Sequence, residues 1–244
     1  MDKKYELLEN DRKKLLGGQI VYRIRALRDF GNVKAGDLGG YIAGEHNLSH
    51  DGTCWVYNEA IVCSKAKIVE EAKVKHCAKI GGNALLRHFS KAKDRVQIYG
   101  NVVMYSRSVA KGFAELHDNV ELFGDSIVRG RAKLFNRVKV YNNFVITGDI
   151  SIAAGIFKGN SRIKSERDFI VFCNAPHNDN MLTIYVGESE IEMCYNYDYF
   201  TLNDFIAYSN RRFHEELRNE VAALIQAARM RLDKQQSDKL LEES

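Results

Sequence analysis

Seven histidines and five cysteines are the side chains with which this 244-residue chain could do acid–base, nucleophilic or metal chemistry. Cys54, Cys63, Cys77, Cys173 and Cys194 form an odd set with no C-x-x-C pair, so neither a disulfide framework nor a zinc ribbon is expected, and they read as reduced thiols. His76, His88 and His117 are scattered and supply no clustered trio for a catalytic zinc. His177 with Asp179 makes a further polar cluster, inside a Pro-His-Asn-Asp stretch that a turn would use anyway. Gly36, Gly39 and Gly40 could offer backbone N–H groups to a phosphate. The segment lacks the strand-to-helix context and the lysine of a P-loop, so tight-turn geometry is the expectation. No catalytic residue, no metal ligand and no cofactor is assigned.

What must position these residues is a period of six. Stepping from Cys54 gives Ala60, Ala66, Ala72, Ala78, Ala84, Ser90, Val96 and onward to Phe144 and Ile150, 17 small or apolar residues without a miss. Two residues after each comes Val56, Val62, Ile68, Val74, Ile80, Leu86 and onward to Ile152, again 17 apolar residues. Four residues after each start, 11 of 17 are Gly, Asn or Asp, which are turn residues. Six helical residues advance roughly 240°, which would scatter the apolar pairs around three sides, so a helix is excluded. A strand places i and i+2 on one face, but one strand of about 100 residues is untenable when strands run about 3 to 10. The chain must therefore bend at each Gly/Asn/Asp corner, as in a solenoid. The single proline, Pro176, lies outside this segment, as a ladder that needs every N–H requires.

Composition sets the outer bounds. Lys plus Arg number 36 against 32 Asp plus Glu, a net charge of +4, so any basic partner-binding surface must be local. With 45% hydrophobic and 28% charged residues, wholesale disorder is excluded. No apolar run approaches the ~18 residues of a membrane span. The N-terminus, MDKKYELLENDRKK, has no apolar h-region, and the cytoplasm is the expected compartment.

The unit from Val56 to Ala60, an aliphatic residue with a small one four later, is similar to the hexapeptide motif of left-handed β-helix proteins, and it holds over residues 54–155. The resemblance implies a mainly β fold, a left-handed parallel β-helix forming a triangular solenoid with 18 residues per coil. That gives between five and six coils and a prism about 25–30 Å long. The flanks resemble bacterial and prophage hexapeptide-repeat proteins: Val21 to Phe30, then Gly36-Asp-Leu-Gly-Gly-Tyr-Ile42, Asn47-Leu-Ser49 and Cys54-Trp-Val-Tyr57 look like their opening segment. Asn174 to Tyr185 with Thr201-Leu-Asn-Asp-Phe205 looks like the tail module of some of them. Many relatives with this helix are acyltransferases using acetyl- or succinyl-coenzyme A, whose catalytic His works beside a loop excluded from a coil. Here the period admits no such loop, and His76, His88 and His117 fall at corners, at different places on the triangle.

The expected organisation is an N-terminal β cap over residues 1–53, the β-helix over 54–165 and a small α+β C-terminal module over 166–244. Residues 19–27 alternate as a half-buried strand. Residues 168–173, 181–186 and 190–195 read as strands of a small sheet. Thr201 with Asp204 is a capping pair, and Leu217, Val221, Leu224, Ile225, Ala228 and Leu232 recur at helical spacing.

Residues 18 apart stack, and one face collects the outward ladder Trp55, Lys73, Lys91, Val109, Ile127, Val145. Its corner carries Tyr57, Lys75, Lys93, Lys111, Arg129 and Thr147, flanked by Arg95 and Arg131. Eight cations (Lys73, Lys75, Lys91, Lys93, Arg95, Lys111, Arg129 and Arg131) thus share one face, where like charges repel unless an anionic partner screens them. An acidic protein is the expected partner, nucleic acid the second choice and a membrane none. Trp55, Val109, Ile127 and Val145 are candidate contacts of a homo-oligomer. Tyr105, Phe123 and Tyr141 ladder on another corner, and Tyr99, His117 and Phe135 on the third. The expected function is a non-enzymatic binding or scaffold solenoid, of phage or prophage origin as the resemblance implies. The alternatives are a coenzyme A-dependent acyltransferase and a phage inhibitor of a host defence protein. The period makes a direct prediction: Leu134→Asp puts an unpaired charge on the inward ladder, so it abolishes folding, and a wild-type melting curve from that variant would refute the hexad assignment.

Overall fold

A computed structural model describes residues 3–176 and 180–242, those after 232 by backbone alone; His177 and Asp179 lie outside the described residues. The period of six is realised as a β-solenoid. Each hexad forms a two-residue strand followed by a corner, and strands one coil apart pair in parallel. The first face is a seven-rung ladder: Trp55–Val56, Lys73–Val74, Lys91–Ala92, Val109–Ala110, Ile127–Val128, Val145–Ile146 and Arg162–Ile163. The other two faces are joined into one sheet, because Lys133–Val140 runs unbroken through a corner and pairs on both. The second residue of every rung, from Val56 to Ile163, is fully buried, and the small residues from Cys54 to Ala132 line the same core.

The corners explain the turn residues. All 16 positions from 58 to 148 in steps of six have φ between 52° and 94°. Six are glycine; the other ten include Glu70, His76 and His88. A left-handed conformation costs a residue with a Cβ roughly 1–2 kcal/mol. Several corner side chains offset this by accepting the N–H of the corner one coil on. Asn58 Oδ1 accepts from His76 N at 3.2 Å, Glu70 Oε2 from His88 N at 2.8 Å, Asp94 Oδ2 from Gly112 N at 2.9 Å and Asp118 Oδ2 from Asn136 N at 3.1 Å.

The solenoid is longer at both ends than the hexads indicate. Strand β3 (Leu38–Ile42), inside the segment expected to be cap, already pairs in parallel with Ile61–Val62 at an offset of 20. The 18-residue offset holds as far as Ile152 opposite Leu134, then drops to 17 with Ala154 opposite Arg137. Strands β1 (Tyr5–Lys14) and β2 (Ile20–Ala26) continue from β3 as an antiparallel meander. β1 is a strand that charge composition hides. Gly39 and Gly40 are packing glycines: a Cβ on Gly39 would lie 2.5 Å from Ile24 Cγ1, and one on Gly40 2.5 Å from the Ala60 carbonyl.

At the other end, Phe169–Cys173, Met181–Val186, Ile191–Tyr195 and Asp198–Thr201 form an antiparallel sheet in chain order. One side of it plugs the solenoid, with Tyr185 buried against Phe144 at 5.0 Å. The other carries α1 (Leu202–Arg212) and α2 (Glu215–Glu242) over a second core that includes Leu182, Met193, Phe205, Val221 and Ile225. Thr201 Oγ1 accepts the Asp204 N–H at 3.2 Å. Two helices stand where one was expected. No helix among the described residues is long and apolar enough to cross a membrane.

The N-terminal cap is fastened by a buried cation. Lys4 is wholly inaccessible, its Nζ 3.0 Å from the Cys54 carbonyl, 3.3 Å from that of Asp51 and 3.2 Å from Cys54 Sγ. Burial holds its pKa below the ordinary lysine range. Lys4→Met keeps the apolar stem but strands these carbonyls, at roughly 1–3 kcal/mol. We expect the melting temperature to fall by about 2–4 °C per kcal/mol lost; an unchanged melt would mean that the ammonium does not fasten the cap.

Candidate functional site

The candidate surface is the first face, built from rungs whose second residue points inward and whose first points out. Outward ladder positions are occupied in order by Trp55, Lys73, Lys91, Val109, Ile127, Val145 and Arg162. Trp55 does not belong to the surface. It is 1% exposed, its indole covered edge-on by Tyr5 at 6.1 Å and Phe30 at 5.2 Å. The pleat aims it outward as expected, but the cap folds over it, which removes it from the oligomer contacts. Val109, Ile127 and Val145 are half-buried and form a continuous stripe.

Lys91, Arg95 and Arg131 are exposed, and Lys73, Lys75, Lys93, Lys111 and Arg129 half-buried. Among the described residues none of the eight has a carboxylate within ion-pair distance, although Asp94 feels the charge of Lys93; on the other two faces Lys133 pairs with Glu115 at 3.5 Å and Lys139 with Glu121 at 2.8 Å, while Lys67 and Lys79 have no ion pair. Crowding is felt at Lys75, whose pKa is lowered by burial first and then by Lys73, Lys91 and Lys93. Two stems are sheltered by rings: Lys75 Nζ lies 4.7 Å over Tyr57, and Arg95 lies 5.7 Å over Phe113. Sequence reasoning missed Phe89 and Phe113, exposed at 56% and 54% beside the Lys91 and Lys111 rungs. The signal was available in their break from the polar outward pattern.

The histidines serve the corners. His76 Nδ1 lies 3.2 Å from the Asp94 N–H and 3.0 Å from Asp94 Oδ1. His88 stacks on Tyr105 at 4.4 Å and sits 3.3 Å from Glu70, and His117 stacks on Tyr99 at 5.8 Å. Tyr105, Phe123 and Tyr141 continue the His88 column at 5.1 and 5.9 Å. Phe135, expected to extend the Tyr99 column, makes no ring contact among the described residues. No group of three His, Cys, Asp or Glu side chains converges on a metal position among the described residues. A cleft of about 820 Å³ opens where the solenoid meets the C-terminal sheet, lined by Asn142, Asn160, Glu188, Asp198 and Tyr199 among others.

Compared with protein-family models and with curated proteins, the chain matches none. The geometry therefore carries the functional reading. If the cations of the first face repel one another, Lys91→Gln raises the melting temperature at low ionic strength by about 1–3 °C, and added salt removes the difference by screening beyond ~10 Å. A variant that melts lower at every salt concentration would show that Lys91 stabilises the fold instead.

Proposed function

We propose that this chain is a non-enzymatic binding scaffold, a solenoid of the left-handed hexapeptide kind that docks an acidic protein on its first face. The observation that carries the reading is the row of eight cations with no carboxylate within ion-pair distance among the described residues, on a face where the pKa of Lys75 is lowered by burial first and by its lysine neighbours second. Such crowding costs stability, and an incoming anionic surface relieves it while speeding association. The half-buried Val109, Ile127 and Val145 beside them add an apolar contact that a counter-ion would not need. An acidic protein suits this mixture better than nucleic acid, because the ring columns stand on other corners and leave the lysines without a base-stacking platform. The phage or prophage setting, including inhibition of a host defence protein, follows from the resemblance and is the biological context we assign.

Absence of catalysis is part of the proposal. Between 54 and 152 every residue belongs to a rung or a corner, and the imidazoles of His76 and His88 are engaged with neighbouring carboxylates. A coenzyme A-dependent acyltransferase would need a loop that leaves the coil.

The test uses poly-L-glutamate as an acidic probe. Reversing Lys91, Lys93 and Lys111 to Glu does not lower the melting temperature and raises it at low ionic strength, yet weakens capture by more than about tenfold, while reversing Lys67, Lys79 and Lys133 on the other faces has little effect on capture. Equal losses from the two triples would reduce binding to overall charge and sink the assignment of the face.

A further inference from the structure

The cleft of about 820 Å³ between the solenoid and the C-terminal sheet takes no part in the first-face reading. Its volume lies in the range of small-molecule sites, which favour junctions between folded units. Both units build its walls. The solenoid contributes Gly159 and the half-buried Lys158, while the sheet and α1 contribute Glu188, Glu192, Asp198, Tyr199, Phe200 and Tyr208. The floor is open because it carries glycine: a Cβ on Gly159 would lie 3.0 Å from Tyr199 Cε2 and 3.5 Å from Glu192 Oε2. Glu192 is held from two sides. Its Oε2 accepts from the hydroxyl of the buried Ser161 at 2.6 Å, and its Oε1 lies where a Cβ on Gly187 would come within 2.6 Å. Phe200 and Tyr208, 5.1 Å apart, are fixed by the rings of the second core, with Phe213 5.6 Å from Tyr208. Ring wall and carboxylate are therefore in place before any ligand arrives, which lowers the ordering cost of binding.

The charge of the cleft is unbalanced. Three carboxylates line it against one ammonium, 1 − 3 = −2, and Lys158 Nζ donates to the Tyr197 carbonyl at 3.0 Å. Glu188, Glu192 and Asp198 have no ion pair among the described residues. Their field is felt locally: burial first, then Glu192, Glu190 and Asp204, raise the pKa of the Tyr199 hydroxyl. The acids do not gather about one point, since no three His, Cys, Asp or Glu side chains among the described residues converge on a metal position. Separated anions beside ring faces suit a ligand that carries several cationic groups on an apolar chain, because an aromatic face accepts both an ammonium and its methylene stem. We infer that this cleft binds an aliphatic polyamine, with its ammonium groups at Glu188, Glu192 and Asp198 and its methylenes against Tyr199, Phe200 and Tyr208.

Equilibrium dialysis of the full chain against labelled spermidine tests it. The wild type binds one equivalent and releases it as salt is raised. Glu192→Gln and Asp198→Asn, which keep side-chain shape, each weaken binding by at least about threefold and together by more than about tenfold. Tyr199→Leu removes a ring face and weakens it by about twofold to fivefold. Glu115→Gln and Asp125→Asn, solenoid carboxylates outside the cleft, leave it unchanged, and melting curves show that each variant is folded. A wild type that takes up no spermidine at about 1 mM and low salt overturns the inference, as does binding that survives the double substitution. Displacement of spermidine by an equal concentration of magnesium overturns it in favour of a metal site, and displacement by maltose in favour of a saccharide site.

Discussion

The structure depends on a hydrogen bond made over and over: a rung N–H donating to a carbonyl one coil away, as Lys73 N does to Ser90 O at 3.0 Å and Lys91 N to Ser108 O at 2.9 Å. Because the acceptor lies 17 residues on, in the rung 18 residues on, the chain must turn through three corners to reach it, and each corner requires a residue in the left-handed region. Glycine meets that requirement without a Cβ clash, at a cost in backbone entropy. The ten other residues there meet it by strain, offset where a side chain such as Glu70 or Asp94 accepts the next corner's N–H. His76 and His88 are therefore corner residues first. Each imidazole faces a carboxylate one coil away, which holds it in position along the stack.

The core and its period were readable because the side-chain alternation of a strand and the interval between corners are both local properties of the chain. Leu134 or Val74 announces its inward position through its neighbours two and six residues away. The caps were not readable in the same way. Trp55 obeys the outward parity of its rung and is nevertheless buried, because Tyr5 and Phe30, 50 and 25 residues earlier, fold over it. Lys4 gives no sequence sign that its ammonium is enclosed by carbonyls of Asp51, Gly52 and Cys54. β1 is hidden for a related reason: its outer edge is solvated, so YELLENDRKK lacks clean alternation. Counting in steps of 18 sets the eight cations in succession, and the register of Lys73 opposite Lys91 follows that spacing. Their lack of carboxylate partners, on which the candidate site rests, required knowing where Glu115 and Glu121 point.

Both ends of the solenoid solve the problem of an open ladder, and they solve it differently. At the start, the antiparallel meander turns a parallel stack into an edge strand, β1, with Arg12, Lys13 and Lys14 along it, and charge on an edge discourages pairing with another chain. At the finish, the Tyr185 ring enters the core and its hydroxyl donates to the Lys158 carbonyl at 2.5 Å, while Ser161 donates to Glu192 at 2.6 Å.

On the other two sides Lys133 and Lys139 are paired while Lys67 and Lys79 are not, so what sets the first side apart is the number of cations it gathers without an ion pair among the described residues. An exposed pair such as Lys133 with Glu115 adds little, about 0–1 kcal/mol, so pairing is not what holds those faces together. The unpaired lysines of the first face are a net cost, borne by a core that has apolar burial to spare along seven rungs. A rigid solenoid suits that arrangement. Its rungs hold charges at a fixed spacing of about 4.8 Å, so a partner with matching spacing gains several contacts for little further loss of conformational freedom. On a mobile loop the same lysines would spread apart in the free state and need ordering on binding. The regular backbone is thus what makes an unscreened row of like charges sustainable, and the proposed binding role makes use of it.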